Sequence, residues 1–387
     1  MGRSVHILLA VFLSSSASVV LAQSEKTRIS GMVIGCYYAN EFDELFKLDP
    51  LFTGAVYPLP PWLTEDEKSR LHRIYYPRTR QSLIESYDVL VFDGALITHF
   101  TPGQFQDLDY AFREGGMTAI IAPVVMFSDV IQPTILSEVV PVSDAGAVIF
   151  KPYSVKFREQ RDPVFLPFVE LGIENVAGSQ TAEIVVKQGA TIWADERPQD
   201  RPWLVSWRPG GGDSGMQWVV AHRFDDWWRE QFNPYLMDVE TNMILYSLDR
   251  PLIDDIQARR EARRLFVNFQ TQKSLMLSMI EWVDSFGANT HALTDRLVGL
   301  QAGLEDAVKG YLDQDYVSAI SFLQSVSDTI VDISEDVVRL KNQVLFWVYL
   351  IEWLAVSGTS MTCAFILWSL MIRKQLYRQV STTRFEA

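Results

Sequence analysis

The chain has 387 residues, a formal net charge of −14, 48% hydrophobic residues and only two cysteines. That length accommodates two ordinary domains with appendages. The acidic balance disfavours nucleic acid and anionic lipid surfaces as partners, and two cysteines rule out a disulfide scaffold.

The N-terminus reads as an export signal over residues 1–22. Arg3 supplies the positive start, Ile7 to Leu13 an apolar core, and Val20-Leu21-Ala22 a small-residue cleavage site before Gln23. An uncleaved anchor is the competing reading, because Ile7 to Ala22 is almost continuously apolar or small. In both readings the chain after Gln23 lies outside the cell. Cys36 falls in that exported part and Cys363 in the apolar stretch near the C-terminus, so the exported part has no partner for a disulfide within one chain.

Residues 23–251 form the first predicted domain. Arg28 to Tyr38 reads as a buried strand, and Leu63 to Tyr75 as an amphipathic helix opened by a Thr64/Glu67 capping box. A strand over Asp88 to Asp93 comes next. Thr101-Pro102-Gly103-Gln104 then combines an N-cap, a proline at the first helical position and a capping-box glutamine, and Gly115-Gly116 stops that helix. Met117 to Val125 is almost wholly apolar, as a strand covered on both faces should be. This alternation predicts an α/β fold with a doubly wound, mostly parallel, flavodoxin-like sheet.

Residues 144–215 depart from it and read as a β-rich insertion. Within it, PWLVSWRP and MQWVVAHRF form a hairpin across Gly210 to Gly215. A phosphate-cradling loop would need Lys and Ser/Thr next, where Met216 and Gln217 stand, so the glycines are read as a turn.

The run YDVLVFDGALITHFTPGQFQDLDYAFREGGMTAIIAP resembles the class I glutamine amidotransferase-like fold, in the divergent branch that includes trehalose-utilisation-like proteins. WVVAHRFDDWWREQFNPYLMDVETNMILYSL is similar to the end of that fold. The resemblance covers roughly Arg28 to Leu248. It implies a nucleophilic cysteine directly after the strand ending at Val125, where this chain has Val124, Val125 and Met126, with Ser128 as the nearest hydroxyl. Attack on an amide needs a thiolate that valine cannot supply. His222 falls where the family keeps its base, with Asp225 placed to orient it. A base without a nucleophile predicts no amidotransferase activity.

Ligands of such sheets bind at the carboxyl ends of the strands. The candidate ligand-binding groups there are Cys36, Tyr37 and Asn40, then Asp93, Thr98 and His99, with His222 and Asp225 as weak catalytic candidates. Trp227-Trp228 reads either as core or as a sugar-stacking platform. No metal-ligand spacing is present, and no cofactor is expected.

Residues 252–343 are predicted to be an all-α stalk, a helical bundle or coiled coil. One seam runs through Leu265, Phe269, Met276, Met279, Val283 and Phe286. A second follows Leu293, Leu297, Leu300, Leu304, Ala307 and Tyr311. The third takes Ile330, Ile333, Val337, Leu340 and Val344. Asp313 or Asp315 caps the third helix, which has no breaker between Val317 and Val356.

Residues 344–372 read as a transmembrane helix. Trp353 to Ile372 is charge-free, and twenty helical residues cover about 30 Å of hydrocarbon. A buried helix of a soluble protein is the competing reading. Trp353 and Trp368 suit the two interfaces, and the basic tail 373–387 suits the cytoplasmic side. Setting aside the +3 tail and the +1 N-terminus leaves −18 for the rest of the chain. Ala355 with Thr359, and Gly358 with Thr362, place small residues at helix-pairing spacing.

The composite expectation is a non-enzymatic single-pass cell-membrane protein whose exported head binds a ligand or protein partner. Homo-oligomers would form through the stalk and span. The alternatives are an accessory subunit of a transport or motility complex, similar to auxiliary proteins of gliding-type ABC transporters, and a carbohydrate or amide hydrolase.

Overall fold

The computed structural model describes residues 28–35, 41–59, 62–93, 99–122, 131–158, 163–221, 224 and 226–383. The expected export signal therefore lies outside the described residues. Within them the chain forms two compact units. The first runs to Val267 and takes back Asp306–Ser321; the second comprises Asn268–Glu305 and the chain from Phe322 onward.

The first unit is mixed α/β. Its strands are β1 (Ile29–Gly35), β2 (Phe52–Pro58), β3 (Val89–Asp93), β4 (Thr118–Ala122), β5 (Val142–Phe157), β6 (Ala177–Val186), β7 (Thr191–Arg197), β8 (Arg201–Trp207) and β9 (Gln217–Val220). They form one sheet in the order β2-β1-β3-β4-β9-β8-β7-β5-β6. The half from β2 to β9 is parallel, and every pairing from β9 outward is antiparallel. The sheet is thus mixed rather than mostly parallel, because the region read as an insertion extends the same sheet.

The helices between the strands are α1 (Glu41–Leu48), α2 (Glu65–Tyr75), α3 (Arg80–Ser86), α4 (Pro102–Arg113), α5 (Leu136–Val139), α6 (Leu166–Glu170) and α7 (Leu236–Ser247). The capping boxes are formed as expected. Thr64 accepts from the Glu67 amide while Glu67 accepts from the Thr64 amide, and Thr101 and Gln104 do the same for α4.

β3 and β4 are buried at every residue. Their runs are apolar because the strands neighbour others on both sides and are covered on both faces. The crossover through α1 depends on two glycines that pair across β1 and β2, Gly31 and Gly54. A Cβ on Gly31 would come 2.4 Å from the Phe46 ring, and one on Gly54 would come 2.5 Å from the Phe46 Cβ. The absent side chains make the notch that seats α1.

Gly210 to Gly215 is a hairpin turn, as read. The amides of Gly211, Ser214 and Gly215 donate to the carbonyls of Arg208, Gly211 and Phe112, and the Gly210 amide donates to Ser214 Oγ at 3.0 Å. These four donors are committed to the protein. Trp227 and Trp228 are 0% and 1% exposed. They stack among Trp203, Phe42 and Phe224 as core, which overturns the sugar-platform reading.

Three long helices follow: α8 (Ile256–Asp284), α9 (His291–Leu312) and α10 (Tyr316–Thr383). In the second unit their facing residues are buried. Phe269, Met276, Ile280 and Val283 on α8 are buried, as are the seams Leu293, Leu297, Leu300 and Leu304 on α9 and Ile330, Ile333, Val337 and Val344 on α10. Relative to the expected seam, Phe266 is buried next to Leu265 and Ile280 next to Met279. Phe286 is 49% exposed because it lies beyond the end of α8. Arg296 pairs with Asp336 at 2.6 Å across α9 and α10.

α10 begins with Asp315 Oδ1 accepting from the Ser318 amide at 3.1 Å, and runs unbroken for 68 residues. It contains the one helix, among the described residues, long and apolar enough to cross a membrane. That apolar window is 0% buried. Its hydroxyls are satisfied within the helix: Thr359 Oγ1 donates to the Ala355 carbonyl at 2.9 Å and Thr362 Oγ1 to the Gly358 carbonyl at 2.8 Å. Such back-bonding lets Ser and Thr sit in an apolar medium without an external partner.

Candidate functional site

At the carboxyl ends of β2 and β3 the first unit gathers a cluster of histidines and aromatic rings. Tyr57 comes from the end of β2, His72 from α2 with Tyr76 one turn later, and His99 and Phe100 from the segment leading into α4. The Tyr57 hydroxyl lies 2.6 Å from His99 Nε2 and 3.5 Å from the Lys68 carbonyl. Gln104 Nε2 lies 2.6 Å from His72 Nε2. The two imidazoles are edge to face with centroids 5.2 Å apart, and Phe100 touches both of them and Tyr76.

The capping box determines the tautomer of His72. Gln104 Oε1 already accepts from the Thr101 amide at 2.8 Å, so its NH₂ end faces the imidazole. Nε2 of neutral His72 must then accept, and its proton resides on Nδ1. Among the described residues, His72 Nδ1, His99 Nδ1 and the Tyr76 hydroxyl are buried without a hydrogen-bond partner.

The electrostatics keep both rings neutral near pH 7. Burial drives His99 down to about 4, and the positive charge of a protonated His72 and of Lys68 adds to this, with Glu65 opposing. Burial also lowers His72. Burial raises the Tyr57 phenol. Groups so far from neutral pKa values are poor acid–base catalysts at pH 7 but good hydrogen-bonding surfaces.

Of the residues expected at this edge, Asp93 and His99 fall within the described residues. Asp93 ends β3 with its side chain buried. Cys36, Tyr37, Asn40, Thr98, His222 and Asp225 lie outside the described residues, as do Val124 to Ser128, where the family's nucleophile would stand. Tyr57, His72, Tyr76 and Gln104 are site residues that sequence reasoning missed. The available signal was a histidine on the apolar side of α2, four residues before a tyrosine.

A second polar cluster is buried deeper in the first unit. Arg259 donates to Asp49, Asp238 and, at 3.0 Å, to Thr241. Arg263 grips both oxygens of Asp238 at 2.7 and 2.9 Å, and the Tyr311 hydroxyl donates to Asp49. Burial alone would raise Asp238, but Arg263 and Arg259 outweigh it and hold the carboxylate below the usual range. Two cations meet two anions with their hydrogen bonds made, which is the condition for tolerating buried charge. This cluster clamps elements together and offers no group free for chemistry. A cleft of about 470 Å³ opens beside it, lined by Leu51, Leu245, Arg250, Asp254, Tyr311 and Tyr316 among others. Among the described residues no group of three His, Cys, Asp or Glu side chains is placed to hold a metal ion.

No family model and no curated protein matches the chain. Among solved structures, a cytoplasmic protein from Salmonella typhimurium LT2 is similar, with a TM-score of 0.42 and 14% identity. The match covers 57% of this chain and 99% of that one. A likeness of that degree carries no argument about fold or function.

Proposed function

We propose that the protein is a single-pass membrane protein whose exported α/β head, a divergent amidotransferase-like domain without its nucleophile, binds a small polar ligand or a protein partner and catalyses no reaction. The observation that carries this reading is α10: a helix that starts in the first unit continues without a break into a charge-free window with no burial. Leaving the eleven large apolar side chains between Trp353 and Ile372 in water would be costly, and a bilayer removes that cost. The basic residues after Ile372 support an inward tail.

The ligand-binding part rests on Tyr57, His72 and His99, which bring hydrogen-bonding groups to the strand ends where α/β sheets bind ligands. Small residues at positions 355, 358, 359 and 362 support pairing of two copies through the span.

Alkaline carbonate extraction of membranes tests the anchor in the full chain: the protein should stay with the lipid, and release into the supernatant would refute it. Impermeant thiol labelling of single cysteines placed at Glu183 and Gln375 tests orientation, with the first expected to react in intact cells and the second only after lysis. Binding is tested by thermal shift of the detergent-solubilised protein across a panel of small polar compounds. Shifts that survive His99→Phe would place binding away from the cluster.

A further inference from the structure

We propose that His72 and His99 form an acid-triggered latch that holds α2 against β2 and α4, and that protonation releases α2 from the carboxyl edge of the sheet. The proposal concerns the head alone and depends neither on the membrane anchor nor on the identity of a ligand.

The geometry carries it in three steps. First, His72 Nε2 can accept from Gln104 only while it is unprotonated. An added proton there would face the Gln104 NH₂ group, donor against donor, and Gln104 cannot turn without breaking its own capping bond to Thr101. Second, both Nδ1 atoms are buried without acceptors among the described residues, so an imidazolium at either position would bury an N–H bearing charge that none of them receives. Third, the rings are 5.2 Å apart, so charging one opposes charging the other.

The surrounding charges do not relieve this. On α2, Glu65 and Lys68 are paired with each other at 2.7 Å. Glu65 is the one carboxylate that favours protonated His99, and Lys68 opposes it. On α4, Asp107 is held by Arg80 at 2.8 Å. The remaining neighbours, Tyr57 on β2 and Tyr75 and Tyr76 at the end of α2, are phenols stacked in or against the cluster.

The cheapest way to hydrate two imidazolium rings is to move the element that carries one of them. α2 is an 11-residue helix whose one buried residue is Lys68. Its attachment therefore depends heavily on this cluster, and a local opening is expected before the sheet unfolds.

Hydrogen exchange on the full chain in detergent, with protection factors compared at pH 7 and pH 4, tests the latch. Amides of residues 68–76 should lose about tenfold or more in protection at pH 4 while β4 keeps its own. The double variant His72→Gln/His99→Gln retains hydrogen-bonding side chains that cannot be protonated, and should show no such pH effect. Equal protection at both pH values, simultaneous loss in β4, or an acid effect that persists in the double variant would each overturn the proposal. Should that variant fail to fold, imidazole titration by NMR in the native chain decides: both rings should titrate below 6.5 in step with the α2 amides, and ordinary titration near 6.5 would refute the latch.

Discussion

The Tyr311 hydroxyl donates to the Asp49 carboxylate at 2.8 Å, joining residues 262 positions apart in the chain. Asp49 sits at the corner between α1 and β2, and Tyr311 in the last turn of α9. Arg259 of α8 reaches the same carboxylate and bridges it to Asp238 of α7. Four helices are thereby fastened at one neutral, fully buried point, and Tyr316 at the start of α10 rests on Tyr311 with ring centroids 5.4 Å apart.

Removing one partner from this clamp should be severe. Asp238→Ala leaves Arg263 and Arg259 short of a counterion in a buried site, at a cost of about 3–5 kcal/mol. Tyr311→Phe removes a single bond to a charged acceptor that Arg259 still holds, and should cost about 1.5–3 kcal/mol. Urea denaturation followed by far-UV circular dichroism should rank the two in that order.

The glycine notch beneath α1 predicts a second steric sensitivity. Gly54→Ala puts a methyl 2.5 Å from Phe46 Cβ, close to the helix backbone, where little can give way. Overpacking of this kind costs about 1–3 kcal/mol. A thermal midpoint unchanged from the native chain would show that α1 is seated otherwise.

Acid should destabilise the head through the same histidines. The native His99 pKa of about 4 lies below its ordinary value of 6.5, and His72 is shifted in the same direction. The unfolded chain therefore binds more protons as pH falls below 6.5. Stability contributed by the neutral rings is complete above pH 6.5 and declines toward pH 4. Urea midpoints at pH 7, 5.5 and 4.5 should fall in that order, and His99→Phe should flatten the trend.

A charge in the middle of the apolar part of α10 should oppose insertion. Ile366→Arg is expected to cost about 2.5–3.5 kcal/mol on translocon-based scales. It should shift part of the protein from the carbonate-resistant to the soluble fraction, whereas Ile366→Leu should not. Gly358→Leu addresses pairing instead: loss of a detergent-stable dimer with insertion intact is the outcome expected if that face mediates contact.

Much of the chain was legible without coordinates. Thr64/Glu67 and Thr101/Gln104 announce their helices because capping is a local reaction between residues three apart. The apolar runs of β3 and β4, the hairpin across Gly210 to Gly215, the stripes of α9 and α10 and the charge-free window near the C-terminus are likewise patterns of near neighbours. Such patterns report which face of an element avoids water.

What the tertiary structure decided is which faces meet. β2 was not legible because it is an edge strand with a glycine and little alternation. The strands from β5 to β8 join the parallel half in one mixed sheet, an arrangement set by pairing across long sequence separations. Trp227 and Trp228 are core because Trp203 and Phe42 arrive from elsewhere in the chain. Arg259 and Arg263 stand four apart in phase with Ala262 and Phe266, yet nothing local reveals that Asp49, more than two hundred residues earlier, awaits them. In the same way His99 was recognisable as a strand-end group, but its setting exists only because the fold brings His72, Tyr57 and Phe100 around it.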